Sequence, residues 1–220
     1  MSNKIQNLFD IKRTQIELVR DRGYIIPDRE QEILNGTLEN FNDYLQELRR
    51  SYPNFTDRAR LLQSYVNALG KRMVVFFVTK TEPTQKQIPS ELITGIVSQT
   101  IEYRFDELII IIDAQLSPRG NEILNTLTGT KWQVFFDSDL TYNPTLSVDV
   151  PRHELLSAEA VSAKLVEWKV DISKLLIYES SDPIVKYYGW PAGSVVRVIR
   201  KDNSVNTLAA ETINYRVINK

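Results

Sequence analysis

The 220-residue sequence contains no cysteine, one histidine and only 8 glycines. The absence of cysteine excludes disulfide bonds, thiolate catalysis and zinc sites with cysteine ligands. A catalytic triad or a multi-histidine metal site cannot be built around the single histidine, His153, without several other ligands, so we expect His153 to be a structural hydrogen-bonding residue. Neither G-x-x-x-x-G-K-[ST] nor G-x-G-x-x-G occurs in the sequence, which excludes a glycine-rich nucleotide cradle of that kind.

Long apolar runs and a surplus of one charge are also missing. No apolar run approaches the roughly 20 residues that span a bilayer, and the first residues, MSNKIQNLFDIKR, lack the apolar core of a signal peptide. We therefore expect an intracellular protein. The 27 basic and 28 acidic residues give a net charge of −1, which argues against a strong free-standing nucleic-acid binder but leaves local basic contacts open.

Apolar segments between residues 70 and 137 alternate between strand-like and helix-like patterns, which predicts a small α/β sheet. The predicted strands are 73–78, 108–112 and 132–136, and the predicted helices are 3–22, 37–51, 90–102 and 121–127. Residues 58–68 fit a helix or a strand. The turn-rich segment TYNPTLS, residues 141–147, predicts that a first domain covers residues 1–145.

The pattern after residue 145 predicts a second, smaller α+β domain, residues 146–220. It combines a short strand at 148–150, a helix capped by Ser157 and a hairpin of 195–199 against 212–218. Between them lies a short helix with its own start and stop signals. Asp182 suits the cap, Pro183 suits the first helical position and Gly189 suits the left-handed end.

Candidate catalytic residues are few. Asp113, Asp137 and Asp139 follow predicted strands, and carboxylates at strand ends can hold magnesium, so a magnesium-dependent nuclease is one alternative. We expect these aspartates to be solvated instead. LSPRG, residues 116–120, is expected to be a polar loop with one arginine. The missing catalytic set favours a scaffold or assembly subunit, with a free-standing protein-binding adaptor as the second alternative.

Five segments together carry a family resemblance. They are RDRGYIIP (20–27), LSPRG (116–120), HELLS (153–157), DPIVKYYGWPAGSVVRVIRK (182–201) and INYRVI (213–218). Their order and spacing resemble the fifth subunit shared by eukaryotic nuclear RNA polymerases I, II and III, and the second half also resembles a small component of archaeal RNA polymerase. The resemblance covers nearly the whole chain and is strongest over residues 148–201.

The resemblance implies a non-catalytic subunit of a multisubunit DNA-dependent RNA polymerase, without a cofactor and without a membrane partner. In that family the N-terminal domain forms part of the lower jaw around downstream DNA and has a nuclease-like α/β fold without catalysis. The C-terminal assembly domain docks on the largest polymerase subunit. Other polymerase subunits and downstream double-stranded DNA are therefore the expected partners.

The resemblance also implies two sets of site residues. The family's jaw loop places Ser117, Pro118 and Arg119 near downstream DNA, where contact is to the backbone. The docking set comprises His153, Asp182, Pro183, Tyr187, Tyr188, Gly189, Gly193, Arg200, Tyr215 and Arg216. Aromatic anchors suit docking because they bury a large area at a low entropy cost.

Two departures from the family pattern bear on the source of the chain. The family's second histidine is replaced by Glu159 or a neighbour, and its short S-E-T-x-G-R hairpin connection is replaced by the longer KDNSVNTLAAE, residues 201–211. A divergent hairpin suggests a lineage that serves one polymerase, such as that of a large DNA virus or a very divergent eukaryote. The expected location is then the virion or the host compartment of transcription, or the nucleus if the protein is cellular.

Overall fold

The computed structural model describes residues 2–82, 84–201 and 211–219 and divides the chain into two compact units. The first unit ends at Tyr142 and the second begins at Asn143, close to the boundary expected near residue 145. Among the helices of the described residues, none combines the length and the apolar character that a membrane span requires.

The first unit contains six α-helices and six strands within its described residues, and a 3-10 helix, Asp137–Leu140, follows the last strand. In chain order the α-helices and strands are α1 (Ser2–Asp21), α2 (Asp28–Asn35), α3 (Leu38–Ser51), α4 (Asp57–Arg60), β1 (Gln63–Val66), β2 (Arg72–Val78), β3 (Gln87–Ile88), α5 (Ser90–Glu102), β4 (Glu107–Ile112), β5 (Gln115–Leu116), α6 (Pro118–Asn125) and β6 (Lys131–Phe136). The predicted strands and helices are confirmed, and the open segment 58–68 holds both the end of α4 and β1. Helix α2 was not predicted, because DREQEILN offers too few apolar positions to form a stripe.

The main sheet of the first unit has the strand order β1-β2-β4-β6, with β2, β4 and β6 parallel and β1 antiparallel to β2. Val78, Ile112 and Phe136, the last residues of these three parallel strands, are in register. The segments that follow the strands therefore all begin at the same end of the sheet. Side chains of α5 and α6 pack with one face of β2 and β4 in a buried apolar cluster. The N–H of Ser117 also reaches the carbonyl of Ile88, and β3 pairs with β5, so α5 and α6 begin side by side.

A closed polar network is buried beside α1. Lys12 forms an ion pair with Glu30, and both side chains are almost completely buried. Lys12 also donates to Gln15 (2.8 Å), Gln15 donates to the hydroxyl of Tyr65 (2.9 Å), and that hydroxyl donates to Glu30 (2.5 Å). A buried charge is tolerated only when it is paired in this way, so the network fixes α1, α2 and β1 relative to one another.

The second unit contains two α-helices and four strands within its described residues, besides the 3-10 helices Pro144–Leu146 and Ile172–Lys174. The α-helices and strands are β7 (Arg152–Leu155), α7 (Ala158–Trp168), β8 (Leu176–Tyr178), α8 (Pro183–Tyr188), β9 (Val195–Lys201) and β10 (Glu211–Ile218). The strand order is β7-β9-β10-β8, in which β9 runs antiparallel to β7 and β10, and β8 runs parallel to β10. Both predicted helices and the final hairpin are confirmed. Residues 202–210, most of the divergent connection, lie outside the described residues.

The strand predicted at residues 148–150 is wrong, because these residues form a turn. The N–H of Val150 donates to the carbonyl of Ser147 (3.1 Å), and the N–H of Asp149 points to the hydroxyl of Ser147 (3.4 Å). Backbone N–H groups that donate within a turn are not available for the hydrogen bonds of a sheet. The strand therefore begins only after Pro151, at Arg152, which pairs with Ile199.

Candidate functional site

Helix α8 is fixed at both ends by the residues that the sequence indicated. The carboxylate of Asp182 accepts from the N–H of Ile184 (2.8 Å), and Pro183 occupies the first turn. Gly189 ends the helix with a φ of 64° and donates its N–H to the carbonyls of Val185 and Lys186. A helix of 6 residues has little stability of its own, so these caps and the burial of Ile184, Val185 and Tyr187 hold it in place.

The two tyrosines at the end of α8 face different surroundings. Tyr187, which we expected to face a partner, is only 1% exposed, and its hydroxyl accepts from the side-chain amide of Asn143 (3.0 Å). Tyr188 is half-buried and stacks on Trp190, with ring centroids 4.5 Å apart and planes 8° apart. The aromatic surface therefore consists of Tyr188 and Trp190. Trp190 was missed, although it directly follows the helix-ending glycine.

His153 belongs to a polar cluster on the same side of the sheet as α8. Its Nε2 lies 2.9 Å from the hydroxyl of Tyr178, and the two rings stack. Burial is the main cause that lowers the pKa of His153, and burial together with the charge of Asp182 raises the pKa of Tyr178. The guanidinium of Arg216 lies 5.5 Å from the centre of the Tyr178 ring. His153 is thus a hydrogen-bonding residue of the fold, as expected.

The opposite side of this sheet is held by an ion pair and an aromatic pair. Arg197 donates to the carboxylate of Glu154 (2.8 Å from Nε). Tyr215 meets Trp168 of α7 edge to face, with ring centroids 4.6 Å apart, and is therefore half-covered by its own chain. Arg200 is exposed, and Gly193 forms the turn before β9 with a φ of 85°.

The residues expected near DNA form a helix start and not the polar loop that we predicted from LSPRG. The hydroxyl of Ser117 accepts from the N–H of Gly120 (3.1 Å), Pro118 opens α6, and Arg119 lies in its first turn. The loop prediction failed because Ser117 and Pro118 are a cap and a first helical residue as well as turn formers. The Arg119 side chain is 73% exposed and pairs with Glu122 (3.0 Å).

The three candidate metal ligands are engaged by the protein itself. Both carboxylate oxygens of Asp137 accept from Arg58 (2.8 Å each), and Arg58 also donates to the carbonyl of Ile111 (3.2 Å). Asp113 accepts from the hydroxyl of Thr79 (2.6 Å), and Asp139 accepts from the N–H of Phe136 (3.0 Å). In the part of the chain that the structure describes, no three histidine or acidic side chains come together as a metal site. Asp113 and Asp139 are exposed, as expected for solvated aspartates, whereas the expectation is wrong for Asp137, which is half-buried against Arg58. The described residues give the nuclease alternative no support.

Two sequence models of one family match the chain. The model described as RNA polymerase Rpb5, N-terminal domain, matches residues 2–92, and the model described as RNA polymerase Rpb5, C-terminal domain, matches residues 142–218. The helix start with Ser117, Pro118 and Arg119 lies between the two matches, whereas α8 and its surroundings lie within the second.

Curated relatives are similar to almost the whole chain. Subunit RPABC1 of DNA-directed RNA polymerases I, II, and III from Caenorhabditis elegans is 27% identical over 214 residues, which cover 96% of this chain and 95% of the nematode protein. The corresponding Dictyostelium discoideum subunit is 25% identical, with coverages of 97% and 98%. Subunit 5B of DNA-directed RNA polymerases IV and V from Arabidopsis thaliana is 25% identical, with coverages of 94% and 87%.

Proposed function

This chain belongs to the Rpb5 family of RNA polymerase subunits, and on that premise we propose how it works within a multisubunit DNA-directed RNA polymerase. It is a non-catalytic subunit, in agreement with the names of its relatives, and the family predicted from the sequence is confirmed. We propose that its second unit docks on the largest subunit and that its first unit serves as a nuclease-like lower jaw beside downstream DNA.

The docking proposal rests on the stacked pair of Tyr188 and Trp190. Both rings are half-buried, and their position is set by the doubly capped helix α8 and the turn at Gly193. A rigid aromatic pair can bury further area against a partner at little entropy cost. We propose that Tyr188, Trp190 and Arg200 contact the partner.

The remaining residues of the docking set support that surface from within the unit. Asp182, Pro183 and Gly189 fix the course of the backbone around α8. His153, Tyr215 and Arg216 are half-buried by contacts with Tyr178 or Trp168. We assign them a positioning role, and the buried Tyr187 joins them instead of the contact surface.

The DNA proposal rests on Arg119 at the paired helix starts of α5 and α6. An exposed ion pair such as Arg119–Glu122 contributes little stability, so the guanidinium can turn to a phosphate at a small cost. Contact with phosphates positions a duplex without reading its sequence. Ser117 and Pro118 shape this helix start, and the catalytic chemistry belongs to other subunits.

A polymerase subunit works where transcription takes place, which is the nucleus in a eukaryotic cell. We propose that the divergent connection between β9 and β10 reflects service to a single polymerase, such as that of a large DNA virus. The virion or the host compartment of transcription is then its location. Recovery of this chain with all three nuclear polymerases of a cell would contradict the viral version.

Affinity purification of the tagged chain at moderate salt, with stoichiometry by mass spectrometry, tests the docking proposal. We expect equimolar recovery with two very large polymerase subunits and a loss of that recovery with the double variant Tyr188→Ala/Trp190→Ala. Tyr142→Ala, which removes an exposed tyrosine of the first unit, serves as the matched control. Recovery of the wild-type chain alone would favour the free-standing adaptor.

The salt stability of transcribing complexes tests the DNA proposal separately. With Arg119→Glu, we expect normal assembly but dissociation from downstream DNA at a lower salt concentration, because one phosphate contact is replaced by repulsion. Arg13→Glu, which changes another exposed arginine of the first unit, is the control. An unchanged salt profile for Arg119→Glu would argue against the contact.

A further inference from the structure

The connection between α3 and α4 presents two aromatic rings to solvent. All six residues from Ser51 to Thr56 are exposed, and Tyr52 and Phe55 are 53% and 58% exposed. This connection is separate in sequence from α8 and from the helix start at Ser117. We call residues 49–60 the aromatic-arginine segment.

The aromatic-arginine segment is held in place by charged hydrogen bonds. Arg60, whose side chain is buried, donates to the carbonyls of Tyr52 (2.9 Å) and Pro53 (3.1 Å). Asp57 accepts from Arg60 (2.7 Å) and, through both oxygens, from Arg49 (2.8 and 2.6 Å). The bond to Arg49 is the main cause that lowers the pKa of Asp57. The backbone that carries both rings is therefore preorganised, which reduces the entropy cost of binding.

The same segment is positively charged. It contains four arginines and one aspartate, a formal charge of +3, in a chain whose net charge is −1. Asp137, which lies outside the segment, is paired with Arg58 and reduces this surplus by one. Arg60 and Arg58 are largely buried, whereas Arg49 and Arg50 are exposed. Two exposed guanidinium groups thus precede two exposed rings, and the polar side chains of Ser51 and Asn54 lie among them.

We propose that the aromatic-arginine segment binds single-stranded nucleic acid. Bases stack on Tyr52 and Phe55, and phosphates pair with the exposed Arg50. Arg49 stays bound to Asp57 and holds the segment in place. Aromatic faces interleaved with cations are the combination that holds single strands with little sequence preference. A duplex fits less well, because its bases stack on one another and offer no free face to the rings. The polar and charged neighbours of the rings also differ from the apolar, charge-depleted core of a protein interface.

Fluorescence anisotropy with the full-length chain tests the proposal. The probes are labelled 20-nucleotide oligo-dT and oligo-U strands and a mixed-sequence duplex of equal length. We expect tighter binding of the single strands than of the duplex, and about tenfold weaker single-strand binding with Tyr52→Ala or Phe55→Ala. Tyr103→Ala removes a tyrosine that is also 53% exposed and should leave the affinity unchanged. Arg50→Glu should weaken binding most at low salt.

Two further variants separate this proposal from the DNA contact of Arg119. Arg119→Glu should leave single-strand binding unchanged, so either proposal can fail without the other. The proposal would be overturned if the wild-type chain and the Tyr52→Ala/Phe55→Ala double variant bound oligo-dT and oligo-U with equal affinity. It would also be overturned if the wild-type chain bound the duplex as tightly as the single strands.

Crosslinking in the assembled polymerase identifies the strand. A photoreactive phenylalanine at position 55 should crosslink to nucleic acid. A crosslink to the transcript assigns RNA as the ligand, and one to the unpaired DNA strand assigns DNA. A crosslink to a protein subunit alone would overturn the proposal in favour of a protein interface.

Discussion

Helix α1 of the first unit and helix α7 of the second unit differ in how far their own unit covers them. Ten side chains of α1 between Leu8 and Val19 are buried, and they include the paired cation of Lys12. None of the residues of α7 is buried, and its half-buried Trp168 meets Tyr215 edge to face. The first unit therefore encloses its opening helix, whereas the second unit leaves one helix on its surface.

One ion pair from each unit shows the same difference. Lys12 and Glu30 are withdrawn from solvent, but Arg197 and Glu154 remain partly exposed. A buried pair is costly to break, because the remaining charge has no water around it, while an exposed pair is screened and replaceable. We infer that the first unit is a self-contained body and that the second unit is built to be completed by contacts with a partner.

Lys12→Ala should be the most damaging single change to stability. It leaves the buried carboxylate of Glu30 without its cation, which typically costs about 3–5 kcal/mol. The measurement is the free energy of unfolding in urea, and Arg197→Ala is the control because its pair with Glu154 is partly exposed. If both substitutions lowered stability equally, the contrast between the buried and the exposed pair would be wrong.

A matched pair of leucines tests the contrast between the two helices directly. Leu18→Ala in α1 removes a side chain that is 1% exposed and should cost about 2–5 kcal/mol. Leu165→Ala in α7 removes a half-buried side chain and should cost less than half as much. Thermal unfolding of both variants gives the comparison, with Leu18→Met as a conservative control that should cost less than about 1.5 kcal/mol. A larger loss from Leu165→Ala would contradict the contrast between α1 and α7.

Removal of the α8 cap should have a smaller effect on stability. Asp182→Ala leaves the N–H of Ile184 without its acceptor and should lower the stability of the second unit by about 1 kcal/mol. Asp182→Asn keeps a side-chain oxygen at the cap and is the control. Thermal unfolding gives the change in stability, and recovery with the polymerase reports on docking. Equal stability of the two variants would mean that the cap does not stabilise α8.

The sequence was informative where structure follows from neighbouring residues. The cap, first helical residue and terminal glycine of α8 act within one segment, and the apolar runs of β2, β4 and β6 identify buried strands without knowledge of their partners. The engagement of Asp137 was not predictable, because its cation, Arg58, is 79 positions away in sequence. The different surroundings of Tyr187 and Tyr188 depend on how α8 lies against the sheet, which local signals do not specify.

The smallest predicted effect is the dependence of second-unit stability on pH near neutrality. The ring of His153 contacts Tyr178 and hydrogen-bonds to the backbone of Pro151, and Asp182, Arg200 and Arg216 are the neighbouring charges. Burial lowers the pKa of this imidazole below its ordinary value of 6.5, so the unfolded chain binds a proton more readily than the folded chain.

Stability should therefore be full above pH 6.5 and fall as the pH decreases through 6.5 towards the lower pKa of the folded state. The measurement is thermal unfolding between about pH 7.5 and 5.5, a range above the ordinary pKa values of carboxylates. His153→Gln keeps a hydrogen-bonding group beside Tyr178 but cannot titrate, so its profile should be flatter over this range. Because the ring is only half-buried, the effect should be smaller than that of the Asp182 cap. If the stability of the variant changed with pH as steeply as that of the wild-type chain, other groups would cause the pH dependence. The pKa of His153 would then be the same in the folded unit as in the unfolded chain.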